Sequence, residues 1–215
     1  MIRNKITKNK EDYLKIIYEL GGKDKKISNK EISEGLKVSA PSVSEMINKL
    51  LKDGYIEYTS YRGVTLTSLG LREAIKIKKR HLLWEVFLVE KLAYSWEDVH
   101  EEAEKLEHVT NSKLERALDK YLDYPKYCPH GNPIISKEEE IASYISINDL
   151  SQGEKAVIKR LRDDKEVLRY IKKIDLRIGD EIKLVEKNAE SNIIIKRKSK
   201  KIQIKKKYLN DIYVL

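Results

Sequence analysis

At 215 residues the chain is long enough for one large domain or for two to three small ones, and 40% apolar residues suffice to build their cores. Charged residues make up 37%, and no apolar run approaches the roughly 18–20 residues that span a bilayer, which excludes a membrane-embedded protein. The net charge of +9 favours polyanionic partners, and the single cysteine, Cys128, excludes an internal disulfide and fits a reducing cytoplasm.

Met1–Lys5 is followed by polar residues, so no export segment is expected there. Tyr13, Ile16, Ile17 and Leu20 fall at i, i+3, i+4 and i+7, which predicts a first helix stopped by Gly21–Gly22. Ser28 and Glu31 have the spacing of a capping box, opening a second helix that buries Ile32 and Leu36. After the turn 37–41, Val43, Met46, Ile47, Leu50 and Leu51 form the apolar stripe of a third helix, with Pro41 suited to its first turn. Tyr55–Tyr58 and Val64–Thr67, joined by a turn at 60–63, read as a β-hairpin. Three short helices and a hairpin predict a winged helix-turn-helix whose third helix reads DNA.

A long helix is expected from Ser68 to about Leu92, and a fifth, capped by Ser95–Asp98, through about Val109. A sixth opens at Asn111, with Leu114, Leu118, Tyr121 and Leu122 on one face. Pro125, Pro129 and Pro133 then interrupt regular structure, which makes 127–133 the best linker candidate. Beyond about Ser146, four short β-rich runs (156–158, 181–185, 192–196, 201–204) surround one helix near 165–174, and a small β-barrel is the economical reading. Much of the positive charge lies in 196–201 and 205–207, where a solvated strand surface is the first reading and a DNA-facing patch the second. The fold class is therefore mainly α with a small β part. Its expected divisions are a winged-helix DNA-binding domain at 1–72, a helical domain at 73–136, a linker at 137–145 and a β-domain at 146–215.

The chemistry-bearing residues gather on two helices. His81 and Glu85 are one turn apart, and His100, Glu104, Glu107 and His108 fall at i, i+4, i+7 and i+8, a single surface-proximal face opposite Val99, Ala103 and Leu106. A solvated polar face accounts for either stripe taken alone. Two facing helices, each with imidazole one turn from carboxylate, instead suit Mn, Fe, Co, Ni or Zn. On the third helix Ser42, Glu45, Asn48, Lys49 and Lys52 face away from the apolar stripe. Ser39, Ser42 and Ser44 are candidate phosphate donors, Pro41 a contact for a thymine methyl, and Arg62 a contact from the wing tip.

Residues 99–109 and Lys79–Glu85, together with Glu11–Leu14, Ile17–Leu20, Ser39–Ser44 and Gly131–Ile134, resemble the diphtheria toxin repressor family over essentially the whole chain, with a C-terminal part similar to the SH3-like (FeoA-like) domain of longer members. The resemblance implies a homodimeric repressor, not an enzyme, that binds a double-stranded operator and represses metal-uptake genes with Mn²⁺ or Fe²⁺ as corepressor. It implies a primary site of Asp12, Glu104, Glu107 and His108. It also implies an ancillary site of His81, Glu85 and His100, completed by an acid of the β-domain: Asp164 by position, with Asp163 and Glu166 as neighbouring alternatives. Iron-sensing members carry Met and Cys where Asp12 and Glu104 stand, which points to manganese. Short manganese sensors have a second Glu where this chain has Lys15. Cys128 reads as structural. The competing readings are an iron-specific repressor of the same family, a metal-independent winged-helix regulator whose β-domain binds a ligand, and a di-metal carboxylate oxidase. Against the last, the stripes contain no repeated Glu-x-x-His pair.

Overall fold

A computed structural model describes residues 6–60, 62–134, 144–187 and 193–215. The chain divides into two compact units, one made of 1–81, 106–112 and 135–138, the other of 82–105, 113–134 and 139–215. Most of the expected linker, 137–145, lies outside the described residues, as does Tyr61 of the hairpin turn.

The first unit holds α1 (Lys8–Glu19), α2 (Asn29–Leu36), α3 (Ala40–Lys52), β1 (Ile56–Thr59), β2 (Gly63–Leu66) and the first half of α4 (Ser68–Leu92). Ser28 caps α2 as its sequence requires: its hydroxyl accepts from the Glu31 amide while the Glu31 carboxylate accepts from the Ser28 amide. Ser39 caps α3, and Pro41 occupies the first turn, where no N–H is needed. Leu14 and Ile17 of α1, Ile32 of α2, and Val43, Ile47 and Leu50 of α3 close one core with Ile56 and Val64 of the hairpin. Leu51 departs from the expected stripe. It is 43% exposed, because one residue past Leu50 it is rotated by about 100° away from the core. The wing is a three-segment device, since Ile27 and Val64 exchange backbone hydrogen bonds of 2.8 and 2.9 Å. Gly63 makes this closeness feasible: at φ +105° its missing Cβ would stand 2.2 Å from the Ile27 carbonyl oxygen.

The second unit contains the rest of α4, most of α5 (Val99–Glu107) and of α6 (Ser112–Tyr121), and the β-domain. On α6 Leu118 is buried, as is Leu122 just beyond it, whereas Leu114 and Tyr121 of the same expected face are exposed. β3 (Ile145–Ser146), β4 (Lys155–Leu161), β5 (Glu181–Lys187), β6 (Ile193–Arg197), β7 (Lys200–Ile204) and β8 (Ile212–Val214) form one antiparallel sheet in the order β3-β8-β4-β5-β6-β7. Helix α7 (Lys165–Lys173) lays Val167, Leu168 and Ile171 on that sheet's core.

The proline-rich segment 127–133 is not a loose tether. Cys128 donates its amide to the Asn132 carbonyl, Tyr127 bridges Pro133, and the Leu161 amide of β4 donates to the His130 carbonyl at 2.9 Å. Gly131, at φ +79°, would place a Cβ 2.0 Å from the Lys159 carbonyl oxygen, so only glycine lets this loop lie against β4. The prolines end the helical pattern, and the segment that follows is tied by these backbone hydrogen bonds. The sequence signal for a break was sound, but the loop's burial depended on β4.

Candidate metal centre and nucleic-acid interface

The exposed face of α3 carries Pro41, Ser42, Ser44, Glu45, Asn48 and Lys49, with Ser39 exposed at its N-cap and Arg62 exposed on the hairpin. All eight residues expected to meet DNA therefore lie at the surface of the first unit. Ser39 and Ser42 share a 2.8 Å hydroxyl contact, Ser44 donates to the Ala40 carbonyl, and Glu45 pairs with Lys49 at 2.6 Å. The acid on this face is thus paired with the lysine one turn on, which leaves Arg62 as a cationic contact and the serine hydroxyls as neutral hydrogen-bonding groups.

In the same unit Asp12, Glu107 and His108 present ligand atoms within 4.8 Å of one another. Asp12 comes from α1; Glu107 and His108 come from the end of α5. His108 Nε2 lies 2.9 Å from Asp12 Oδ1 and 3.4 Å from Glu107 Oε1, and its Nδ1 lies 2.8 Å from Glu11 Oε2. Burial alone would lower the His108 pKa, but the hydrogen bonds to Asp12 and Glu11 and the charge of Glu107 outweigh it and raise it to about 9. Glu107 is fully buried, contrary to the surface-proximal placement expected from the helical stripe. Its Oε1 accepts from Lys15 Nζ at 2.7 Å and its Oε2 from His81 Nδ1 at 2.6 Å. Burial opposes the charged form of Glu107, yet His81 and Lys15 hold its pKa below the ordinary value. His81, expected in the second group, is thereby bonded to a residue of the first.

The second unit holds a second convergence. His100 Nδ1 lies 2.8 Å from Asp163 Oδ2 and 3.9 Å from Glu85 Oε1. His130 Nδ1 lies 3.3 Å from Glu85 Oε2, 3.5 Å from Asp163 Oδ1 and 4.0 Å from Cys128 Sγ. The other ring nitrogen of His130 donates to the Trp96 carbonyl at 2.6 Å, so Nδ1 is the nitrogen turned to the carboxylates. Burial disfavours the charged forms of both imidazoles. Asp163, Glu104 and Glu85 nevertheless push His100 up, and Glu85, with Cys128 and Asp163, pushes His130 up. Burial, with Glu85 adding to it, raises the Cys128 thiol to about 11.

Two expectations change here. Asp164 does not face this group; its carboxylate caps α7 by accepting from the amides of Glu166 and Val167, and Asp163 is the acid that reaches His100. Successive residues at a helix entry point in different directions, and the cap took one of them. Glu104, expected beside Asp12, has its Oε1 3.5 Å from His100 Nε2. Cys128 is buried in one core with Leu82, Leu83 and Leu118, as its structural reading expects, and its sulfur also stands near Glu85 and His130. The signal for it was present as Cys128-x-His130 in a tight loop. The sequence reading passed it over because no helical periodicity ties that loop to α4.

The donor chemistry of both groups suits a divalent transition ion. The first offers carboxylate oxygen and imidazole nitrogen; the second adds one sulfur.

Family models match the chain in three stretches: "Iron dependent repressor, N-terminal DNA binding domain" at residues 5–64, "Iron dependent repressor, metal binding and dimerisation domain" at 67–136, and "FeoA domain" at 145–215. The iron-dependent repressor IdeR of Mycobacterium leprae is 36% identical over 131 residues, 61% of this chain and 57% of that protein. The chain thus spans somewhat over half the length of that curated relative. The solved structure of the manganese regulator SloR is 39% identical, with a TM-score of 0.83 over 98% of this chain and 99% of that one. A manganese-dependent transcriptional repressor solved in complex with manganese is 30% identical, with a TM-score of 0.88 over 96% of this chain and 99% of that one.

Proposed function

Because the chain belongs to the iron-dependent repressor family of winged-helix regulators, we propose that it is a homodimeric, cytoplasmic repressor of metal-uptake genes that binds its operator when loaded with Mn²⁺. The observation that carries this reading is the meeting of Asp12, on a helix of the DNA-binding core, with Glu107 and His108 at the end of α5.

A dication bound there supplies the positive charge that three neighbouring acids, Glu11, Asp12 and Glu107, otherwise draw from protonated His108 and from Lys15. Like charges at about 4 Å repel by about 1 kcal/mol in water and several times more where solvent is partly excluded. Asp12 therefore holds α1 to the 106–112 segment most firmly when that charge is supplied. Helix α1 packs in one core with α3, so fixing α1 fixes the reading helix. In a dimer, two such helices must enter major grooves about one helical turn apart. Ser39, Ser42, Ser44 and Arg62 then meet phosphates, with Pro41, Glu45, Asn48 and Lys49 along the bases. No catalytic role is assigned to either cluster.

Glu85, His100, Cys128, His130 and Asp163 supply a second site, with Trp96 orienting His130. Manganese is favoured over ferrous iron for the first site because its donors are oxygen and imidazole nitrogen. The test is fluorescence anisotropy on the chain's own promoter, with EDTA and then with buffered Mn²⁺, anaerobic Fe²⁺ or Zn²⁺. Mn²⁺ is expected to saturate binding and EDTA to abolish it. Binding unaffected by EDTA would identify a metal-independent regulator, and a response to Fe²⁺ alone would identify an iron sensor.

A further inference from the structure

Lys15 is an unexpected neighbour for a cation site. It lies on α1 one turn after Asp12, is only 7% exposed, and points its ammonium at Glu107 Oε1 from 2.7 Å. The same oxygen is 3.4 Å from His108 Nε2, and the other carboxylate oxygen accepts from His81. The carboxylate offered by the Asp12–Glu107–His108 cluster therefore already holds a permanent positive charge, fixed to the chain itself.

We propose that Lys15 is the resident cation of this cluster and sets how much metal is needed to fill it; the proposal rests on reading the cluster as a metal site. An ammonium has no lone pair, so Lys15 is not a ligand. It acts through Glu107 in two ways that have the same sign. First, it stabilises the metal-free protein, since a fully buried carboxylate without a partner is costly. Second, it repels any dication that shares Glu107, because like charges a few ångströms apart in a partly desolvated site interact strongly. Both effects weaken metal binding. They also oppose a second dication on the same carboxylate, so the cluster takes one ion per chain. Lys15 thus raises the metal level at which the protein switches.

The experiment compares full-length wild type with Lys15→Met, which keeps the apolar stem and removes the charge, and Lys15→Arg, which keeps the charge. Mn²⁺ binding is measured by calorimetric titration, with His108→Ala identifying the contribution of this cluster, and thermal midpoints are measured in EDTA. Lys15→Met should bind Mn²⁺ at this cluster about 10-fold more tightly and melt lower in EDTA, while Lys15→Arg stays near wild type in both. Unchanged or weaker Mn²⁺ binding by Lys15→Met would mean that Lys15 merely holds Glu107 in place, and the inference is overturned. Should Lys15→Met fail to fold, Lys15→Gln, which can still donate to Glu107, carries the same expectation. If wild type and His108→Ala bind Mn²⁺ alike, the cluster is not a metal site, and the reading beneath the inference fails separately.

Discussion

At the scale of single residues, burial decides which substitutions are informative. Glu107 is fully buried between Lys15 and His81. Removing it takes the hydrogen-bonded counter-charge from a buried ammonium, so Glu107→Ala tests folding as much as metal binding. His108→Ala and Asp12→Ala are the cleaner probes: each should lose the metal-stimulated anisotropy change while keeping the wild-type circular dichroism spectrum. His108 also sets a pH dependence. Its pKa in the folded chain, about 9, lies above the ordinary 6.5. The stability it contributes is complete below about pH 6.5 and is lost as pH rises through about 9. The thermal midpoint in EDTA should therefore fall across that window. Metal must displace the same proton, so the gain in midpoint on adding Mn²⁺ should grow over the same range. Parallel curves with and without metal would remove His108 from the site. For the second group, Cys128→Ser and Asp163→Asn should each weaken uptake of one metal per chain in a titration, without erasing promoter binding.

At the scale of elements, the sheet of the β-domain carries an unusual row. Lys155 pairs with Lys183, Lys183 with Lys196, and Lys196 with Lys201, so four lysines stand side by side across β4, β5, β6 and β7. All four are exposed. Like charges directly opposite one another destabilise a sheet, and each such pair is worth roughly 0.2–1 kcal/mol. Changing the central Lys196 to Glu turns two repulsive pairs into attractive ones. Lys196→Glu should raise the thermal midpoint at low salt, and the gain should shrink at high salt as the charges are screened. A salt-independent change would point to altered packing instead. The row also serves β7, the edge strand of the sheet, since a charged edge resists pairing with a second chain.

At the scale of the whole molecule, a ligand that binds only the folded chain stabilises it by mass action. One site filled at 100 times its dissociation constant contributes about 2.7 kcal/mol, which for a chain of this size is a midpoint rise of roughly 5–10 °C. Mn²⁺ should produce such a rise and EDTA should reverse it; a midpoint indifferent to both would remove metal from the account.

The sequence by itself determined the elements. The capping box at Ser28, the stripe of α3, the hairpin after it and the start and end of α4 follow from local spacing, because helix and strand periodicity are properties of neighbouring residues. It also selected Asp12, Glu107 and His108 through the family's motifs. What local spacing does not encode is which side chains meet from elements far apart in the chain. Only the tertiary structure decided that His81 turns to Glu107, that Lys15 joins it, that Asp164 is spent on capping α7 while Asp163 reaches His100, and that Glu85 is met by Cys128 and His130. The last of these depends on Gly131 letting one loop lie against β4, a contact between residues that no periodicity relates.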